Sequence, residues 1–316
     1  MRSVSPASLQ VDLEQEVRKM ANKITDAYKT GDTIIKFEDV SYRYPRTKKW
    51  VLKHVNLEIK KGEFVAVMGE NGAAKTTLCQ CMNSAVPNFH HGKLKGKVSV
   101  FGIDTKECEM SHLSDKVGMV LEDPEAQLFT TTVRNEVAFG AENLEVEREE
   151  LFRRVDWALD IVGLTEFADR EPTALSGGQK QRLAIAANLA MMPSVLVLDE
   201  PTSQLDPIGT RDVYEVIRML REKENMTIVI ATHKSEEIAE FADKILVLKE
   251  GQIAAFDTPD VIFNDKELME SCSIRPPQVS ALASYLRAKG EDIGCKPTLM
   301  SEAKEGIDKW YKGARK

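Results

Sequence analysis

Five consecutive apolar residues, Phe64 to Met68, run directly into Gly69-Glu70-Asn71-Gly72-Ala73-Ala74-Lys75-Thr76-Thr77 and then Leu78. So apolar a run reads as a strand buried on both faces of a sheet. The glycines behind it permit a tight turn, and Lys-Thr-Thr opens a helix whose free N–H groups point back at that turn. Strand, loop and helix have the spacing of a phosphate-binding loop. Backbone N–H groups of residues 69–77 would cradle phosphates, Lys75 would reach the outer two, and the Thr76 hydroxyl would ligate magnesium. Ala74 departs from the motif, which has glycine there. In isolation the segment also fits an ordinary strand-to-helix turn, so the rest of the chain must decide.

Further apolar runs suited to buried parallel strands, Val195 to Asp199, Thr227 to Ala231 and Ile245 to Leu248, alternate with helical stretches. The pattern is α/β and nucleotide-binding, and no internal repeat is present, so one such domain is expected. Between residues 122 and 173 the strand runs stop, and Leu151, Val155, Leu159 and Val162 share one helical face. A helical subdomain inserted into the core is expected there. Leu9, Leu13, Val17, Met20, Ile24 and Tyr28 recur at helical spacing and predict an amphipathic N-terminal helix ended by Gly31. The expected layout is that helix over 1–31, the α/β domain over 32–264, and a C-terminal extension over 265–316 with two short helical patterns among Pro276, Pro277 and Pro297.

A chain of 316 residues with 42% hydrophobic content can bury a full α/β core, which excludes disorder as the main state. Its 43 basic against 50 acidic residues give a net charge of -7, with no basic block, so a nucleic-acid partner is not expected. Five cysteines without CxxC spacing suggest neither disulfides nor a zinc site, and a reducing cytosol is the natural home. Cys79 and Cys81, on the helix after the loop, read as small buried thiols, and His90 with His91 lacks further metal ligands at short spacing. The longest uncharged stretch, Leu183 to Leu198, is broken by Pro193 and falls short of the ~20 residues a bilayer crossing needs. Any work at a membrane would be done by docking.

Two further constellations carry chemistry. The strand Val195 to Asp199 ends in adjacent carboxylates, Asp199 and Glu200, where a buried sheet delivers its functional groups. Asp199 would hold magnesium through water, and Glu200 would act as the general base on the attacking water. Upstream, Leu175-Ser176-Gly177-Gly178-Gln179 opens an apolar helix. Ser176 with Gln179 forms a capping box, and the two glycines leave N–H groups free for an anion. Two glycines in a first turn cost roughly 1 kcal/mol each against alanine, which a purely structural cap would not need.

Walker A at 69–77, the Leu-Ser-Gly-Gly-Gln signature at 175–179 and Walker B at 195–200 stand in the order of ABC ATPases, and the chain resembles that family over about residues 34–256. The resemblance implies a P-loop ATPase fold using ATP and Mg²⁺. It implies Ser203 to Asp206 as the D-loop, His233 as the switch histidine and Tyr44 as the adenine-stacking aromatic. It also implies that Ser176 to Gln179 close over ATP held by a partner's Lys75, so a second ABC chain, identical or paralogous, is required. The Q-loop glutamine that ligates magnesium is replaced by Glu122, which can still ligate but adds negative charge.

Within the family, Asp123 to Val133, Glu136 to Leu144 and Arg275-Pro-Pro-Gln-Val279 resemble the ATPases of energy-coupling factor (ECF) importers of vitamins or metal ions. That implies a transmembrane coupling subunit pressing helices beside residues 122–144, a separate substrate-binding membrane subunit, and a peripheral position on the cytoplasmic face of the membrane. Ala74 and Glu122 leave open a catalytically weakened subunit paired with an active paralogue. A soluble non-transport ABC ATPase would need either a long coiled-coil insertion or tandem cassettes, for which 316 residues leave no room.

Overall fold

The computed structural model describes residues 25–314, so the predicted N-terminal helix lies outside the described residues as far as Ile24. Within the predicted helix, Thr25–Ala27 forms a single 3₁₀ turn rather than an α-helical one. The Lys61 ammonium donates to the carbonyls of Thr25 and Tyr28, both at 2.9 Å, which ties this segment to the body of the protein. Tyr28 packs edge-on against Phe101, with ring centroids 5.4 Å apart.

Among the described residues, ten strands form two sheets. They are β1 (Thr33–Arg43), β2 (Leu52–Lys60), β3 (Phe64–Met68), β4 (Lys93–Val100), β5 (Ile103–Asp104), β6 (Val117–Val120), β7 (Val195–Asp199), β8 (Thr227–Ala231), β9 (Lys244–Lys249) and β10 (Gln252–Asp257). The larger sheet has the order β10-β9-β3-β8-β7-β6. Its β9-β3-β8-β7-β6 portion is parallel, as expected of uninterrupted apolar runs, and β10 pairs antiparallel at the edge.

The smaller sheet, β2-β1-β4-β5, is antiparallel and was not anticipated. Strand β2 does alternate buried with exposed residues, but β1 shifts register against β2 at three places, which blurs the period-two signal.

The helices that position the site are α1 (Lys75–Met82), α2 (Val133–Asn143), α3 (Arg148–Ile161), α4 (Gly177–Leu189), α5 (Pro207–Glu224) and α6 (Ser235–Phe241). No strand lies between β6 and β7, and there α2 and α3 pack on α4, which in turn packs on α5. Alternate residues of the large sheet feed two cores. Phe64, Ala66, Leu196, Leu198, Ile228 and Ile230 face the α2–α5 side, whereas Val65, Val67, Val195, Val197 and Val229 face α1 and the antiparallel sheet. Burying both faces at close packing makes the C-terminal edge of this sheet a rigid platform.

Among the described residues beyond 264 there are three helices rather than two: α7 (Lys266–Ser271), α8 (Gln278–Ala288) and α9 (Met300–Ala314). The Ser280 hydroxyl donates to Pro297 O at 2.7 Å and that of Thr298 to Asp260 at 2.9 Å, holding the segment together. Among the described residues no helix is long and apolar enough to cross a membrane.

Candidate functional site

Register brings the site together. Strand β8 lies between β3 and β7, with Ala231 opposite both Val67 and Asp199. The residues that follow these strands, Gly69, Glu200 and His233, therefore leave the sheet at one level of its C-terminal edge, where open α/β sheets bind ligands. Gly69 has φ +147°, and a Cβ there would meet Leu248 O at 2.3 Å, so the loop can start this close to β9 only with glycine.

The loop ends on Ala74, the N-cap of α1, at φ 85° and ψ 27°, with no side-chain cap. That is the left-handed region, which costs an alanine roughly 1–2 kcal/mol. Glu200 is also left-handed, at φ 47°, and its N–H donates to Ala231 O at 2.8 Å. The kink breaks the strand's alternation and turns the Glu200 carboxylate toward the loop. Two non-glycine residues in this conformation mark stored strain at the site.

Lys75 is 7% exposed. Its ammonium donates to Gly69 O at 3.0 Å and lies 2.8 Å from His233 Nε2 and 3.5 Å from Glu200 Oε1. His233 Nε2 is also 3.0 Å from Asn71 Oδ1 and 3.1 Å from Glu200 Oε1. Lys75 donates to Nε2 in one tautomer, and Nε2–H donates to Asn71 in the other. Glu200 Oε1 is buried with ionic approaches but no aligned hydrogen bond. Burial pushes the Glu200 carboxyl up, opposed by the Lys75 charge. Burial and then the Lys75 charge push His233 down, keeping its ring neutral near neutral pH.

Asp199 is 4% exposed and its Oδ1 is buried without a hydrogen-bond partner. Burial raises its carboxyl, and a hydrogen bond from the Thr76 hydroxyl opposes the shift. A buried, unsatisfied carboxylate oxygen beside a threonine hydroxyl fits a hard divalent cation completed by phosphate and water oxygens. Among the described residues no three His, Cys, Asp or Glu side chains form a metal cage. Glu122 is exposed, and its Oε1 accepts from the Ser203 hydroxyl at 3.2 Å, joining the Q-loop position to the D-loop.

The capping box is present: Gln179 N donates to Ser176 Oγ at 3.3 Å and Ser176 N to Gln179 Oε1 at 2.9 Å. The glycine pair also has a packing reason that the sequence did not reveal. A Cβ on Gly178 would lie 3.0 Å from Gly209 Cα, so α4 and α5 cross here backbone to backbone. Asp206 caps α5, accepting from Gly209 N at 2.7 Å. Ser176 and Gly177 are exposed, and no hydrogen bond or ion pair joins Ser176 to Gln179 with Lys75 of the same chain. The signature and the phosphate loop are thus two separate groups.

Tyr44, the predicted base-stacking residue, flanks α1. Its hydroxyl shares a hydrogen bond with Thr77 Oγ1 at 3.0 Å, and its ring stands edge-on to Tyr42 and His90. Several contributors went unrecognised in the sequence. Trp50, with Lys49 and Lys53, lines a cleft of about 420 Å³ against Glu70 and Asn71 of the loop, and the run Lys48-Lys49-Trp50 was its visible signal. Gln127 caps β6 by bonding Leu121 N at 2.8 Å and Met119 O at 3.0 Å. The buried Glu136 accepts from the N–H groups of Phe129 and Thr130, presenting Phe129 edge-on to Phe139.

Comparison with known proteins adds independent findings. A family model described as "ABC transporter" matches residues 52–203. A putative ABC transporter ATP-binding protein of Pyrococcus horikoshii is 43% identical over 257 residues, 81% of this chain and 90% of that protein. An energy-coupling factor transporter ATP-binding protein of Caldanaerobacter subterraneus is 39% identical over 287 residues, 89% of this chain and 99% of that one. Among solved structures, cbiO1 of Clostridium perfringens, titled as part of the ABC transporter complex cbiONQ, superposes with a TM-score of 0.67 at 34% identity, covering 80% of this chain and 99% of that one. A dimeric ATP-binding cassette bound to ADP and Pi gives a TM-score of 0.63 at 28% identity, covering 72% and 99%.

Proposed function

The chain belongs to the ABC transporter ATP-binding proteins and is an ATPase, and from that premise we propose that it powers an importer of the ECF type. The observation that carries the reading is the convergence of Lys75, Glu200 and His233 at the end of β3, β7 and β8, with the signature held apart on its own capped helix.

In this reading the loop N–H groups and Lys75 bind the phosphates of ATP. Asp199 and Thr76 would hold Mg²⁺, with Glu122 beside them, and the bound ion would neutralise phosphate charge. Glu200 takes the proton of the attacking water. Burial raises its proton affinity toward working pH, which improves it as a base. Neutral His233 offers Nε2 to the terminal phosphate or to Lys75, according to tautomer. Tyr44 stacks on the base. Ser176 to Gln179 and Asp206 act on the nucleotide of a partner chain, which is why the site is complete only in a dimer. The dimeric cassette among the structural neighbours supports that arrangement.

The ECF assignment draws on the relative of that name, on the cbiONQ title and on the runs 123–133 and 136–144. Beside those runs Phe129 and Phe139 are 66% and 41% exposed and pack edge to face at 4.8 Å, an apolar face suited to a coupling helix of a membrane subunit. We propose the division into an ATPase body over 32–264 and an extension over 265–316 as the units that work there. Purifying the complex from membranes by a tag on this chain and identifying its components by mass analysis tests the reading. A transmembrane coupling subunit with a separate solute-binding subunit is expected, and recovery of this chain with no membrane protein would overturn it.

The left-handed Ala74 favours one other reading, a subunit that binds ATP but depends on an active paralogue for turnover. Hydrolysis that appears only on mixing with a second ABC chain would support it.

A further inference from the structure

We propose that cationic side chains on and beside the β1–β2 connection form a collar that steers the nucleotide to the phosphate loop without contacting it, so that this face sets the rate of nucleotide capture. The proposal rests on the reading of residues 69–77 as a nucleotide-phosphate loop. Residues 43–53 carry five cations, Arg43, Arg46, Lys48, Lys49 and Lys53, and no acid. Strand β4 adds two more, because the antiparallel register sets Lys93 directly opposite Arg43 and Lys95 opposite Ser41. Lys97, next along β4, stands opposite Glu38 and is locally balanced.

This charge is not spent on the fold. Among the described residues none of the seven forms an ion pair. Like charges directly opposite on paired strands, as Arg43 and Lys93 are, work against the sheet. Arg43 and Lys95 even share one ring, the guanidinium carbon lying 5.5 Å and the ammonium 5.1 Å from the Trp50 centroid. The collar's position gives it a use. Tyr44, in the same connection, bonds Thr77 at the helix end of the loop, while Lys49 and Lys53 line the cleft against Glu70 to Ala73 at its outer face. The connection therefore runs along the loop that receives phosphates. Inside the cleft Glu70 and Glu250 offset Lys49 and Lys53, which leaves Arg43, Arg46, Lys48, Lys93 and Lys95 as the surplus around it. The chain as a whole carries -7 and repels a polyanion, so a local positive field beside the loop raises the encounter rate where it is needed. Exposed charges that make no contact act on association rather than dissociation, and salt screens them beyond ~8 Å at physiological strength.

Stopped-flow binding of methylanthraniloyl-labelled ADP to the full chain, at low and at high salt, tests this. Arg46, Lys48 and Lys93 are exposed and do not line the cleft. Combining Arg46→Gln, Lys48→Gln and Lys93→Gln should slow association about fivefold at low salt and leave dissociation unchanged, with the difference closing at high salt. Combining Arg46→Lys, Lys48→Arg and Lys93→Arg, which keeps the charge, should keep the wild-type rate. Combining Lys289→Gln, Lys296→Gln and Lys304→Gln, at exposed positions of the C-terminal extension, removes the same net charge and should slow association far less. Equal slowing by that control, an unchanged association rate in the collar variant, or a loss confined to dissociation would each overturn the proposal. So would a collar variant that binds nucleotide at the wild-type rate but no longer binds phosphatidylserine vesicles, since the patch would then serve a membrane surface. If the wild type binds nucleotide and Lys75→Ala abolishes that binding while the collar variant is silent, only the proposal falls. If the wild type binds no nucleotide, the phosphate-loop reading falls and the proposal with it.

Discussion

At the scale of single residues the site shows its function through strain and unsatisfied charge. Ala74 sits at φ 85°, where glycine would be unstrained. Relieving ~1–2 kcal/mol in a loop that must hold its shape around phosphates should tighten ATP binding by about tenfold for each 1.4 kcal/mol recovered. Ala74→Gly is therefore expected to lower the Kd for ATP and to raise hydrolysis, read by calorimetry and phosphate release, and equal or weaker binding would mean the loop is adapted to alanine. Glu200→Gln should slow hydrolysis at least ~10²-fold while ATP still binds. It also has a signature in stability. Burial raises the Glu200 carboxyl above its ordinary 4.5, so the stability this group contributes is present below that value and is lost as pH rises through the raised one. Glutamine does not titrate. The Tm of the variant should exceed that of the wild type at pH 7, and the difference should shrink as pH falls into the carboxylate range. A constant difference across that range would show that burial of the charge is not its origin.

At the scale of elements, what the sequence disclosed depended on how local the signal was. Fully buried parallel strands such as Val195–Asp199 and Thr227–Ala231 were legible because neither face meets water and the apolar run is continuous. The Ser176–Gln179 cap was legible because both partners lie within one turn. The antiparallel sheet escaped because register shifts in β1 interrupt its alternation. The reason for Gly178 escaped because its neighbour, Gly209, lies on the next helix. Residues 25–28 fit the helical period, yet Lys61, far along the chain, takes their carbonyls, and the segment is a 3₁₀ turn instead. At the site itself Lys75, Asp199, Glu200 and His233 could be read from motif order. Trp50 could not, because only the folded β1–β2 connection brings it beside Glu70 and Asn71.

At the scale of the molecule, one feature organises the rest: the Lys75–Glu200–His233 cluster and the Ser176–Gln179 segment are both built, and they are not joined within one chain. Lys75, Glu200 and His233 sit on the rigid edge of the large sheet, whereas Ser176 is exposed at the start of a helix packed among α2, α3 and α5. In the dimer we propose, hydrolysis that requires two such surfaces to close would transmit that closure to a membrane subunit docked beside Phe129 and Phe139. We propose that each working site combines one chain's Lys75 with the other's Ser176. Hydrolysis by a mixture of Lys75→Ala and Ser176→Arg chains tests it most directly, since a mixed dimer places both lesions in one site and leaves the other intact. Activity is expected to reappear on mixing two inactive parents, whereas a mixture no more active than either parent would rule out a site shared between chains.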